Sequence, residues 1–304
     1  MNKESIDFVC VTYAMRLPWM RPYIKNLVDS IHKYIKNIDY KIYLVYNYLS
    51  DDFIVPDNDG KNELDALKEM FGDDDKIIFV KGIDQSNTTE IRGETFGQWG
   101  GSGVYGKDGL HHSMGTVYHT EGLTIGIKEG LSKYICLCDP DITFVNEWVN
   151  DLIPLTEKYF FISNRWMPGK MFNDIPENGK GEAVFMLTKR SNFEDNDLYP
   201  NWDYRSTAGN ITHFAQQNDL DFLCLKNNFW RHSYCKRWGI SYEEMSPWRE
   251  DREYLKLEQF KDDYEEAWVN DKAILVHQVQ HSLYGKDKNL SWTSLIKEYL
   301  NNEY

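Results

Sequence analysis

The stretch Tyr134-Ile135-Cys136-Leu137-Cys138-Asp139-Pro140-Asp141 decides the fold, because five residues without a charge run straight into two carboxylates. A short apolar run bounded by turn residues reads as a strand buried on both faces, the kind found inside a parallel sheet. Open α/β sheets take their ligands outside the carboxyl ends of the strands. Asp139 and Asp141 fall there, on alternate positions, with Pro140 stiffening the turn between them. Hard oxygen ligands of this kind suit Mg2+ or Mn2+ bridging to phosphates. Asp and Pro are also ordinary turn residues, and taken alone the triplet more often means no more than a polar strand end.

Outward from this strand, the chain before it alternates between two periodicities. Ile6-Asp7-Phe8-Val9-Cys10-Val11-Thr12-Tyr13 predicts an opening strand. From Trp19 to Lys36, Tyr23, Leu27, Ile31 and Ile35 recur every four residues, an apolar stripe suited to a helix packed on a sheet and ending near Asn37. A second strand follows over Tyr40–Tyr48, a short helix over Asn62–Phe71 and a third strand over Lys76–Val80. Met114–Gly130 reads as the helix feeding the acidic strand, with Val117, Leu123, Ile127 and Leu131 toward one side. Such alternation predicts an α/β fold, a Rossmann-like, mainly parallel sheet flanked by helices.

Between Asp84 and Ser113 lie seven glycines, at 93, 97, 100, 101, 103, 106 and 109. A structureless loop of this length in a compact domain is expected to be a functional lid or a mobile insertion. It has neither the Gly-x-x-x-x-Gly-Lys-Ser/Thr of a P-loop nor a strand directly before it, so its glycines read as sources of flexibility rather than a phosphate cradle.

The order of strand, helix, second strand and a helix running into Asp-x-Asp, over about residues 5–165, resembles the glycosyltransferases of the GT-A fold, especially the family-two-like nucleotide-sugar transferases. The resemblance implies a single GT-A-like domain in which residues 1–165 bind a nucleotide-diphosphate sugar and residues 166–304 form the acceptor-side and C-terminal region. It implies that Asp139 and Asp141 hold the Mn2+ or Mg2+ that binds the diphosphate, with Asp139 also in contact with the donor. By family position, Thr12 and Tyr13 lie near the base. The glycine segment could close over the donor, with Arg92 or Lys107 meeting phosphate. The His119-x-x-Gly122-Leu123 pattern is similar to some members, which makes His119 and Glu121 candidates for donor contacts; a surface His and Glu pair is the competing reading.

The resemblance extends to two places downstream. Many GT-A enzymes use a C-terminal histidine beside the cation, and the apolar run Ala273-Ile274-Leu275-Val276 would deliver His277 to the end of a strand. His277 and His281 also have the spacing of two ligands on one helix face, but Gln278 stands where a zinc protease has its glutamate, which disfavours that hydrolase. Trp202-Asp203-Tyr204-Arg205-Ser206-Thr207-Ala208-Gly209-Asn210, just before a helix-like run from Ile211 to Gln217, resembles the family's acceptor-side segment. Asp203 is accordingly the candidate base for the acceptor hydroxyl, with Asp219 or Asp221 as fallback. A turn or N-cap role for Asp203 and a retaining mechanism both stay open.

Composition narrows the classes. With 41% hydrophobic and 15% aromatic residues, the chain is globular and large enough to bury a substantial core. A net charge of -14 disfavours a nucleic-acid binder and requires a cation with a few local Lys or Arg residues wherever phosphate is bound. No run approaches a membrane span, and Met1-Asn2-Lys3-Glu4-Ser5 lacks the layout of a signal peptide, so a cytoplasmic location is expected. The five cysteines have no metal-site spacing and read as reduced thiols, Cys136 and Cys138 as small core residues on one strand face. Eight of the ten tryptophans lie from Trp148 to Trp292, and Trp166, Trp202 and Trp230, beside Arg165, Asp203 and Arg231, are candidates to line an acceptor cleft for a carbohydrate or glycan. The reading that results is a metal-dependent glycosyltransferase, hexosyl or pentosyl, acting on an acceptor hydroxyl. Its alternatives are a nucleotidyltransferase acting on a sugar phosphate and a non-catalytic carbohydrate-binding protein. Oligomeric state is not legible.

Overall fold

The computed structural model describes residues 4–12, 15–50, 58–86, 103–105, 111–166, 180–201, 207–230, 264–278 and 286–301. Tyr13, Arg92, Lys107, Trp202, Asp203, Arg231 and His281 lie outside them. A seven-stranded mixed sheet forms the centre. Its strands are β1 (Ser5–Thr12), β2 (Asp39–Tyr48), β3 (Ile77–Asp84), β6 (Tyr134–Cys138), β8 (Phe161–Trp166), β9 (Lys180–Lys189) and β10 (Leu223–Cys224), in the order β10-β8-β9-β6-β1-β2-β3. β3, β2, β1 and β6 pair in parallel, as do β8 and β10, while β9 runs antiparallel to both of its neighbours. Six of the strands therefore share one direction, and the expected α/β class holds.

Pleating explains why Phe8–Val11 of β1 reads as an unbroken apolar run. Ile6, Phe8 and Cys10 enter one core with α1 (Arg21–Tyr34), whereas Val9 and Val11 enter a second core on the opposite face with Leu123 and Ile127 of α3 (Met114–Glu129). Both faces are covered, so both parities must be apolar. In α1 the stripe Tyr23, Leu27, Ile31 and Ile35 is buried as its spacing predicts. The helix carries Pro22 in its first turn, where the missing N–H costs nothing, and Asn37 turns the chain with φ 63° just beyond its end. On α3, Val117, Leu123 and Ile127 are buried, but Leu131 is 91% exposed. It lies past the end of the helix, so the helical period no longer governs where it points.

A second sheet was not visible in the sequence. It contains β7 (Ile142–Phe144), β11 (Lys226–Trp230), β12 (Tyr264–Val269) and β13 (Lys272–Gln278) in the order β11-β12-β13-β7, all antiparallel. Asn270 and Asp271, with φ 47° and 66°, form the two-residue connection of the β12–β13 hairpin, the left-handed turn that matches strand twist. Phe8 and Phe185 of the central sheet meet Phe144 and Trp148 edge to face, with ring centroids 5.5–6.2 Å apart, which joins the two sheets in one core. The C-terminal helix α7 (Lys286–Asn301) adds Trp292 and Ile296 to that core, and its Thr293 carbonyl accepts a hydrogen bond from Asn26 of α1.

The glycine segment is not wholly irregular. β4 (Gly103–Tyr105) and β5 (His111–Ser113) pair antiparallel within it, so the expected structureless loop is corrected there to a short hairpin, held by backbone bonds that composition does not reveal. Among the described residues, no helix is long and apolar enough to cross a membrane.

Candidate metal and donor site

The acidic triplet is the corner at which the chain passes from one sheet to the other. β6 ends at Cys138. The Asp139 N–H donates to the Val184 carbonyl of β9 (3.0 Å), and the Ile142 N–H donates back to the Asp139 carbonyl (3.4 Å), closing a turn around Pro140 and Asp141. The chain re-enters as β7, whose Ile142 stands opposite His277 of β13. A bond from the Gln278 N–H to the Asp141 carbonyl (3.2 Å) pins the end of β13 to this turn. Asp139 thus closes the central sheet and Asp141 opens the second, while His277 arrives from 136 positions downstream of Asp141 by strand pairing.

These three residues each bring one ligand atom to within 4.8 Å of the others. His277 Nε2 lies 3.3 Å from Asp141 Oδ1, and both side chains are 6% exposed. On the other side, His119 Nε2 of α3 lies 3.3 Å from Asp139 Oδ1, and its Nδ1 is 3.4 Å from the Thr207 hydroxyl ahead of helix α6 (Gly209–Gln217). Two carboxylates and one imidazole at the carboxyl edge of a mainly parallel sheet form a donor set that fits a divalent cation such as Mn2+ or Mg2+.

Electrostatics around the corner favour positive charge. Burial opposes a charge on His277, but Asp141 and then Glu265 outweigh it and hold the imidazole well above its ordinary range. The Cys10 and Cys138 thiols are pushed far up, first by burial and then by neighbouring groups that include Asp139. They are neutral packing groups at neutral pH, not nucleophiles. Cys136 and Cys138 are buried with their sulfurs 3.7 Å apart, and Cys10, Cys136 and Cys138 are free thiols.

The other candidates divide. Thr12, at the carboxyl end of β1, is fully buried, and its hydroxyl has no hydrogen-bond partner among the described residues. Glu121 is exposed on α3, two residues past His119 and so on a different side of the helix. Asp219 and Asp221 are exposed in the turn before β10, at the amino-terminal edge of the sheet and therefore opposite Asp139. Trp166 ends β8 on the same edge as Asp139, and Trp230 pairs with Tyr264 in the second sheet. His277 lies on a strand, which removes the helix-face pairing with His281 as a geometry for it.

Two neighbours of the site were missed from the sequence, Thr207 and Glu265. Glu265 Oε1 stands 2.6 Å from His277 Nδ1, with the two residues directly opposite on β12 and β13. The available signal was a pair of glutamates inside the run Tyr264-Glu265-Glu266-Ala267-Trp268-Val269, which is visible only once that run is recognised as a strand.

No protein-family model matches the sequence, and no curated protein matches it. Among solved structures, the chain is similar to S. aureus TarS in complex with UDP-GlcNAc, at 12% identity and a TM-score of 0.39 over 68% of this chain and 52% of that one. It is similar to the mannosyltransferase PcManGT from Pyrobaculum calidifontis in complex with GDP-Man and Mn2+, at 11% identity and a TM-score of 0.43 over 72% and 54%. It is also similar to mouse xyloside xylosyltransferase 1, at 10% identity and a TM-score of 0.44 over 78% and 93%. The match spans about half the length of the TarS and PcManGT chains.

Proposed function

We propose that this chain is a metal-dependent glycosyltransferase, moving a hexosyl or pentosyl group from a nucleotide-diphosphate sugar to an acceptor hydroxyl of a glycan, in the cytoplasm. The observation that carries the reading is the convergence of Asp139, Asp141 and His277 within 4.8 Å at the carboxyl edge of the central sheet, where α/β folds bind their ligands. Asp139, Asp141 and His277 would hold the cation. When bound, it supplies positive charge for the departing diphosphate.

The remaining roles belong to side chains. By family position Thr12 and Tyr13 would contact the base, and the buried Thr12 hydroxyl supports a polar contact at the end of the first strand. Arg92 would meet phosphate. His119, which lies between Asp139 and Thr207, orients the sugar or diphosphate, and Glu121 is a further candidate donor contact from the same helix. Asp203 takes the proton of the acceptor hydroxyl. In this scheme residues 1–165 serve the donor and residues 166–304 the acceptor, apart from His277, which joins the cation site.

Thermal shifts test the proposal. Nucleoside diphosphates and sugar nucleotides are each added with and without Mn2+ to wild type and Asp141→Ala. At a hundred times its dissociation constant, a ligand stabilises by about 2.7 kcal/mol. The expected result is a shift by one donor that requires both metal and Asp141. A panel with no metal-dependent shift overturns the reading.

A further inference from the structure

We infer that Glu265 is a positioning residue that sets His277 as a nitrogen ligand through Nε2, an inference that rests on the metal reading above. The two side chains face each other across the β12–β13 pair, with Glu265 Oε1 2.6 Å from His277 Nδ1 and side-chain exposures of 4% and 6%. Nδ1 meets Glu265, and Nε2 lies 3.3 Å from Asp141 Oδ1, inside the group that Asp139 completes.

A neutral imidazole carries a single N–H, and a carboxylate that only accepts can pair with it only at the nitrogen bearing the proton. A cation would take the place of the Nε2 proton, and Glu265 would keep the remaining proton on Nδ1, so that Nε2 is the nitrogen that serves as ligand. Glu265 also fixes the plane of the ring. The irregularity between Ala267 and Trp268 in the β12–β13 register shows that this pairing is built in: beyond it, Leu275 opposes Ala267 whereas Ala273 opposes Trp268, so one extra residue on β13 separates the hairpin turn from His277. Because strand side chains alternate, that extra residue determines which face His277 presents. A buried carboxylate is costly unless it is paired. Partners that orient metal-ligating histidines in this way are typically worth about 10–100-fold in metal affinity.

The test is Mn2+ binding in the absence of nucleotide, read from the free-ion EPR signal, together with the 14N coupling of bound Mn2+ by pulsed EPR. Wild type, Glu265→Leu, Glu265→Gln, His277→Ala and the Glu265→Leu/His277→Ala double variant are compared. Wild type is expected to bind Mn2+ with a 14N coupling that His277→Ala abolishes. Glu265→Leu should weaken binding by about 100-fold and diminish the coupling, and Glu265→Gln, which keeps a carbonyl acceptor, by about tenfold, at the low end of such effects. The double variant should bind no more weakly than His277→Ala, because the inferred effect of Glu265 on the cation runs through that ring. If Glu265→Leu does not fold, the isosteric Glu265→Gln carries the comparison.

Wild-type affinity and coupling in the Glu265 variants overturn the inference while leaving the metal site standing. A further loss in the double variant overturns it too, since Glu265 would then act by another route. Failure of wild type itself to bind Mn2+ overturns the metal reading and this inference together.

Discussion

Replacing Gly126 with Ala tests how closely helix α3 lies on the central sheet. In an ordinary helix interior this change stabilises by up to about 1 kcal/mol. Here a methyl group at Gly126 would sit 2.5 Å from Val9 Cγ1 and 2.7 Å from Val45 Cγ2, where carbon atoms normally rest about 3.5–4.0 Å apart. The helix must therefore lift by about 1 Å, because both valines are buried on central strands and stiff at χ1. Overpacking of this kind costs about 1–3 kcal/mol. Two simultaneous contacts put it near the top of that range, so Gly126→Ala is expected to lose about 2 kcal/mol net.

Urea unfolding followed by circular dichroism measures this, with the exposed Glu129→Ala at the end of the same helix as a control expected within about 0.5 kcal/mol of wild type. Shortening the neighbour relieves the contact, so Val9→Ala with Gly126→Ala should be less damaging than the sum of the two changes, by at least about 0.5 kcal/mol. A Gly126→Ala protein as stable as wild type, with an unchanged urea slope, would refute the reasoning. The stakes extend to the site, since His119 lies two turns earlier on the same side of α3 and meets Asp139 at 3.3 Å.

Three other expectations concern buried and tethering groups. Asp7, 1% exposed, accepts from Arg190 Nη2 (2.8 Å), the Ser132 N–H (2.8 Å) and the Ser132 hydroxyl (2.6 Å); Asp7→Ala removes the buried counter-charge of Arg190, which keeps only the Ser132 and Ile127 carbonyls and the exposed Glu194, and should cost about 3 kcal/mol in urea unfolding, a loss under 1 kcal/mol counting against it. The Tyr23 hydroxyl sits between the side-chain amides of Gln278 and Asn289, linking α1, β13 and α7, so Tyr23→Phe should lower stability by about 1–3 kcal/mol; an unchanged melting temperature would exclude that link. Asp59 is held below its ordinary 3.8 chiefly by hydrogen bonds from Arg21. A depressed carboxyl stabilises above its unfolded pKa and loses that contribution as pH falls through the folded one. Asp59→Asn should therefore lower the urea midpoint at pH 7 and match wild type in strong acid; a pH-independent gap would sink the assignment.

The helices and first strands were legible because one-dimensional patterns governed them. The four-residue stripe of α1 and the two-sided apolar runs of β1 and β6 are properties of neighbouring residues, and each was buried on the expected faces. Asp139 and Asp141 were legible for the same reason, as acids at the end of such a run. The second sheet was not, because β7, β11 and the β12–β13 hairpin come from distant segments whose pairing the sequence does not show. Its consequences were hidden with it. Nothing local tells that Ile142 will pair beside His277, that Glu265 will face that ring, or that Thr207 will meet His119. By itself the sequence determined which residues could form strands, helices and an acidic corner, since propensity and periodicity act over a few residues. Only the tertiary structure decided which distant groups share that corner, because strand register and the packing of α3 set separations of 3–5 Å that no spacing along the chain encodes.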